Sequence, residues 1–157
     1  MAGDPFVDED FRVLTPEAFE FVLNNELKRA VRSQNYLTLL VVEPASSEPE
    51  QPLSTSVIQD IARVVGREVR ETDLLSRTNE RQLSIVLLDA DLHNSMHVVD
   101  RLASRFEHYA FSTPVAIEMG AATCPTHGAD AETLRRAAEA SPVRSRREDR
   151  GNASNAQ

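Results

Sequence analysis

The feature that most constrains this chain is the regular change in its hydrophobic period. Thr15 and Pro16 offer a helix N-cap and a first-turn proline, with Glu17 beside them. Phe19, Val22, Leu23, Leu27, Ala30 and Val31 then recur at helical spacing. Residues 36–42 (YLTLLVV) are almost continuously apolar, which predicts a strand covered on at least one face. Residues 43–54 are rich in Pro, Ser and Glu and read as a loop. Val57, Ile58, Ile61, Val64, Val65 and Val69 make a second helical stripe. Residues 74–77 and 82–88 read as two short strands joined by a turn at Thr78-Asn79-Glu80-Arg81. A helix over about 91–108 turns Met96, Val99, Leu102, Ala103 and Phe106 inward, and a strand follows over 115–123. The last helix, over 130–140, is cut by Pro142. Helices and strands alternate except at one hairpin, which predicts an α/β fold with a mixed central sheet flanked by helices.

Composition narrows the function. A length of 157 residues suits one domain with loose ends. Residues 1–13 are expected to be flexible, 14–140 to form the domain and 141–157 to be a disordered tail. That tail, SPVRSRREDRGNASNAQ, carries +2 and has too little apolar surface to offset its ordering entropy. It is either a solvated end or a basic tether for a partner. The net charge of −8 therefore leaves −10 on residues 1–140, which argues against binding DNA or RNA. A single cysteine, Cys124, excludes an internal disulfide and a cysteine-based zinc site. The longest apolar runs, such as residues 39–42, fall far short of the roughly 20 residues that a membrane helix needs. Residues 1–5 show neither the basic nor the apolar region of a secretory signal. The expectation is a soluble, cytoplasmic protein with no membrane attachment.

The order of elements, with its hairpin, resembles the GGDEF domain, the diguanylate cyclase module of bacterial signalling. The resemblance spans about residues 14–140. It is carried by Leu14-Thr15-Pro16 with Phe19, by YLTLLVV, by VIQDIARVV and by Arg70-Glu71-Thr72-Asp73-Leu74-Leu75-Ser76-Arg77. Ala116-Ile117-Glu118-Met119-Gly120-Ala121-Ala122 and Leu134-Arg135-Arg136-Ala137-Ala138-Glu139-Ala140 complete it. It implies a nucleotidyl cyclase-like, ferredoxin-like sheet.

The same resemblance implies lost catalysis. The family's hairpin reads Gly-Gly-Asp/Glu-Glu-Phe; the corresponding residues here are Asn79-Glu80-Arg81-Gln82-Leu83. Without the glycines the backbone cannot approach a triphosphate as closely. Arg81 replaces a metal-binding acid and repels Mg²⁺, and Gln82 replaces the second acid. The first strand ends in Val42-Glu43-Pro44 where the family has a metal-binding Asp, leaving Glu43 as the one acid there. The guanine-reading Gly-Asp aligns with Ser54-Thr55, and a late lysine aligns near Ser145. Phosphoryl transfer depends on metal ions and positioned charge, so no enzymatic activity, metal or cofactor is expected.

A regulatory site remains in register. Arg70-x-x-Asp73 lies five residues before the hairpin, where the family's inhibitory site binds cyclic di-GMP, and Arg101 falls where that site takes a second arginine. An arginine fork can donate to the O6/N7 edge of guanine, pair with phosphate or stack on a purine, and a carboxylate can accept from guanine N–H groups. With 16 Arg and 10 Asp, about one Arg-x-x-Asp arises by chance, and Arg146-x-x-Asp149 is a second copy without meaning. The plainer alternative is a surface ion pair and an exposed helix arginine. Two functions follow: an inactive domain that binds cyclic di-GMP and regulates a partner or a second copy, or a ligand-independent interaction or scaffolding module.

Other chemistry-bearing residues have simpler readings. His93 and His97, four apart on a helix near Asp89, Asp91 and Asp100, are surface residues or two thirds of a metal site. Cys124 and His127 either close a turn around Pro125 or pair as nucleophile and base. Glu43, Glu48 and Glu50 read as a solvated acidic loop.

Overall fold

Thr15 accepts a hydrogen bond from the Ala18 N–H at 3.2 Å, and helix α1 (Pro16–Ser33) ends at Gln34, whose left-handed backbone has φ 59°. Its buried stripe is Phe19, Leu23, Leu27 and Ala30. Val31, expected inside, is 51% exposed, because twelve residues at about 100° each carry it some 120° around from Phe19. The computed structural model describes residues 7–8, 13–46, 55–79, 81–111, 115–140 and 142–146. The remaining elements are β1 (Val7–Asp8), β2 (Val13–Leu14), β3 (Leu37–Ser46), α2 (Thr55–Glu68), β4 (Leu74–Asn79), β5 (Gln82–Leu88), α3 (Leu92–His108), β6 (Val115–Cys124), α4 (Ala131–Ala140) and β7 (Pro142–Arg146).

Among the described residues seven strands form one sheet in the order β1-β2-β4-β5-β3-β6-β7. Strands β2 and β4 are parallel and every other neighbouring pair is antiparallel. Strand β3 lies between β5 and β6, and its side chains alternate between two cores. Leu37, Leu39 and Val41 join Phe19, Leu23, Leu27, Leu134 and Ala138 beneath α1 and α4. Leu40 and Val42 join Ile61, Val65, Val99, Leu102 and Phe106 beneath α2 and α3. That double burial is why 36–42 reads as a continuous apolar run rather than an alternating one. Helix α4 lies close over β6: a Cβ on Gly120 would sit 1.9 Å from the Ala138 carbonyl oxygen.

Three stretches depart from the sequence reading. Strand β3 continues through Glu43–Ser46, paired with β6, beyond the point where β5 has ended; a proline such as Pro44 is tolerated where one neighbour is missing. The tail is not structureless from residue 141, since β7 pairs with β6 from Gly120↔Pro142 to Ile117↔Arg146 and Val143 packs against the α2/α3 core. Backbone hydrogen bonds to an open strand edge order it, a contribution that a tally of apolar side chains overlooks. At the other end, Val7–Asp8 pairs with Val13–Leu14. The expected disorder of 147–157, the rest of 1–13 and the acidic loop with Glu48 and Glu50 lie outside the described residues. Among the described residues no helix is long and apolar enough to cross a membrane.

Candidate functional site

Helix α2 stops at Glu68 and the chain enters β4 through a tight turn, in which the Asp73 N–H donates to the Arg70 carbonyl at 3.0 Å. The Asp73 carboxylate closes that turn. Its Oδ2 accepts from the Arg70 N–H at 3.0 Å and from Arg70 Nε at 3.4 Å, and its Oδ1 accepts from Arg70 Nη2 and the Leu88 N–H, each at 3.2 Å. The Asp73 side chain is only 2% exposed, so this acid fastens the start of β4 to the end of β5. Its oxygens are occupied by the protein's own donors rather than turned to a guanine. Arg70, by contrast, is 60% exposed. It is held flat by Asp73 and by the Leu88 carbonyl, which accepts from Nη2. Its Nη1 has no partner among the described residues, and an exposed guanidinium offers a face for stacking.

Arg101 reaches this corner from α3. Its Nε donates to Glu68 Oε1 at 3.2 Å and its Nη2 to the Glu68 carbonyl at 3.0 Å. Glu68 precedes Arg70 by two residues, a separation of at most about 7 Å along the chain. The fold thus brings Arg70, Asp73 and Arg101 to one corner, with each arginine already engaged by a carboxylate. Sequence reasoning missed Glu68 and Arg105, whose Nε donates to Glu68 Oε2 at 2.8 Å. Arg101 and Arg105 stand four apart on one helix face, and that spacing was the available signal.

The hairpin forms where the sequence places it: Asn79 pairs with Gln82 across a two-residue turn, and the Arg81 N–H donates to Asn79 Oδ1 at 2.8 Å. Glu80 lies outside the described residues. Arg81 is exposed. Gln82 is buried, its Nε2 donating to Glu139 Oε2 at 2.9 Å and its Oε1 accepting from Thr78 Oγ1 at 3.1 Å. Glu43 lies opposite Glu118 in the β3/β6 register. A guanidinium at the position that the resemblance assigns to a metal-binding acid does not match the all-oxygen, anionic donor set that Mg²⁺ takes. Among the described residues no cluster of three His, Cys, Asp or Glu side chains could hold a metal ion.

The lesser candidates resolve simply. His93 and His97 are exposed and meet edge to face, ring centres 5.1 Å apart. His127 Nδ1 accepts from the Thr123 N–H at 2.9 Å, closing the turn after β6. Cys124 is fully buried there, and burial pushes its thiol pKa up, away from the reactive thiolate.

No protein-family model and no curated protein matches the chain. Solved structures do. A DGC protein from Thermotoga maritima superposes with a TM-score of 0.72 at 16% identity, covering 89% of this chain and 100% of that one. The GGDEF domain of DgcB from Caulobacter crescentus, in complex with c-di-GMP, gives 0.73 at 14% identity over 89% of this chain and 86% of its own. Diguanylate cyclase SiaD from Pseudomonas aeruginosa, in complex with its activator SiaC, gives 0.71 at 18% identity over 87% of this chain and 56% of its own. The helices and mixed sheet of the described residues are therefore folded as in GGDEF domains.

Proposed function

We propose that this chain is a non-catalytic GGDEF-fold signalling domain that binds cyclic di-GMP at the corner formed by Arg70, Asp73 and Arg101 and thereby regulates a partner protein or a second copy. The observation that carries the reading is the position of Arg101, tied to Glu68 two residues before the Arg70–Asp73 turn. Two exposed arginines at one corner suit a ligand with two guanines and two phosphates. Asp73 acts by holding Arg70 flat, and the guanidinium face and Nη1 meet the ligand. The complex of DgcB with c-di-GMP lends further support. Absence of catalysis rests on Arg81 and Gln82 at the hairpin and on Glu43 as the one acid at the end of the apolar run in β3.

Titration calorimetry tests this. Cyclic di-GMP is expected to bind saturably in the micromolar range and to bind at least about tenfold more weakly to Arg70→Ala, the loss of one charge-assisted contact. Equal binding by the variant, or none at tens of micromolar by the parent, refutes it. Incubation with GTP and Mg²⁺ is expected to yield no dinucleotide, and product would overturn the non-catalytic half. A ligand-independent interaction module is the second reading. It is favoured by the closure of the Arg70–Asp73 turn on itself and by the SiaD–SiaC complex.

A further inference from the structure

Between the C-terminal halves of α2 and α3 runs a groove of about 440 Å³, within the usual range for a small-molecule site. One side is cationic. Arg67, exposed and without an ion-pair partner among the described residues, lines it together with Arg105. The other side is apolar, formed by Val64 and by Tyr109, whose ring rests on Phe111 with centres 4.7 Å apart. At the bottom stands Glu68, its side chain 13% exposed, with one carboxylate oxygen on Arg101 and the other on Arg105. Two arginines against one acid in its lining give the groove a local charge of +1 on a chain whose total is −8.

Basic residues near helix C-termini are common because they complement the helix dipole. That explains Arg67 and Arg105 separately but not the convergence of Arg101 and Arg105, both on α3, on one carboxylate of α2. A carboxylate bridging two guanidinium groups occupies the geometry that a phosphate would take, since both present oxygens to planar N–H forks. We propose that the α2/α3 groove is a nucleotide-binding site, in which Arg67 and Arg105 hold a phosphate, Val64 and Tyr109 receive the base, and Glu68 acts as the internal anion that the phosphate displaces from Arg105. The site adjoins the cyclic di-GMP corner through Arg101, yet it stands without that reading, because Arg67, Arg105 and Tyr109 take no part there.

Glu68 as a competitor makes an unusual demand: removing its charge must tighten binding. Titrations with GMP and with inorganic pyrophosphate, read by calorimetry at low salt, test it on the full chain. Glu68→Gln is expected to bind GMP several-fold more tightly than the parent. Arg105→Ala, at a side chain 63% exposed, is expected to fold normally and bind about tenfold more weakly. In isotopically labelled protein GMP is expected to shift the backbone amides of Arg67, Ser104 and Arg105 and not those of Asp73 and Leu88, which separates this site from the dinucleotide corner; shifts confined to Asp73 and Leu88 overturn the site. Weaker or unchanged binding by Glu68→Gln overturns the competitor role. Unchanged binding by Arg105→Ala, or no binding by parent and Glu68→Gln alike, overturns the site. Pyrophosphate bound as tightly as GMP removes the base from the proposal.

Discussion

Replacing Asp73 by alanine tests what this acid does. The substitution removes the acceptor of the Leu88 N–H and the Arg70 N–H, and unties the Arg70 guanidinium. A buried donor left without a partner costs about 1–3 kcal/mol, and an exposed one far less because water replaces the acceptor. The half-buried Leu88 N–H therefore carries most of the loss, and the exposed ion pair adds no more than about 1 kcal/mol. The total comes to about 2–3 kcal/mol. In a domain of this size that lowers the midpoint of thermal unfolding by about 10 °C. Arg70→Ala leaves the Leu88 bond intact and is expected to cost less than about 1 kcal/mol. Circular dichroism melts of the two variants give the comparison. If Asp73→Ala costs no more than Arg70→Ala, the carboxylate is not a structural fastener and is available to a ligand.

Further predictions concern the rest of the frame. Gly120→Ala sets a methyl 1.9 Å from the Ala138 carbonyl oxygen, and urea denaturation is expected to show a loss of about 3 kcal/mol or more as α4 is pushed off β6. Hydrogen bonds from Thr133 at the start of α4 hold the Asp130 carboxyl below its ordinary value of 3.8. The stability it contributes is present above pH 3.8 and is lost as the pH falls through the lower folded value, so Asp130→Asn is expected to flatten the acid limb of the stability curve there. Cys124 is expected to react with an aromatic disulfide reagent only after unfolding, and rapid labelling of the native protein would contradict its burial.

Much of the frame is legible along the chain because each element buries a face whose period shows in the residues. The doubly covered run of β3 and the stripe of α1 are examples. Glu43–Ser46 and β7 are not legible, because backbone pairing with β6 holds them and polar side chains do not reveal it. The corner divides in the same way. Arg70 and Asp73 are three residues apart and can be read as a unit. The partnership of Arg101 and Arg105 with Glu68 spans 33 and 37 residues, and no local pattern reports which acid a helix arginine will meet. The burial of Asp73 was equally hidden, since it depends on β5 returning beside β4 to present the Leu88 N–H.

Binding of cyclic di-GMP at the Arg70–Arg101 corner is tested by a map of backbone amide shifts in isotopically labelled protein as the dinucleotide is added. Saturable shifts are expected at Glu68, at Arg70 to Leu74, at Leu88 and on α3 around Arg101, with the β4–β5 hairpin at Arg81 and Gln82 unmoved. Shifts centred on that hairpin, or none at all, would contradict binding at the corner.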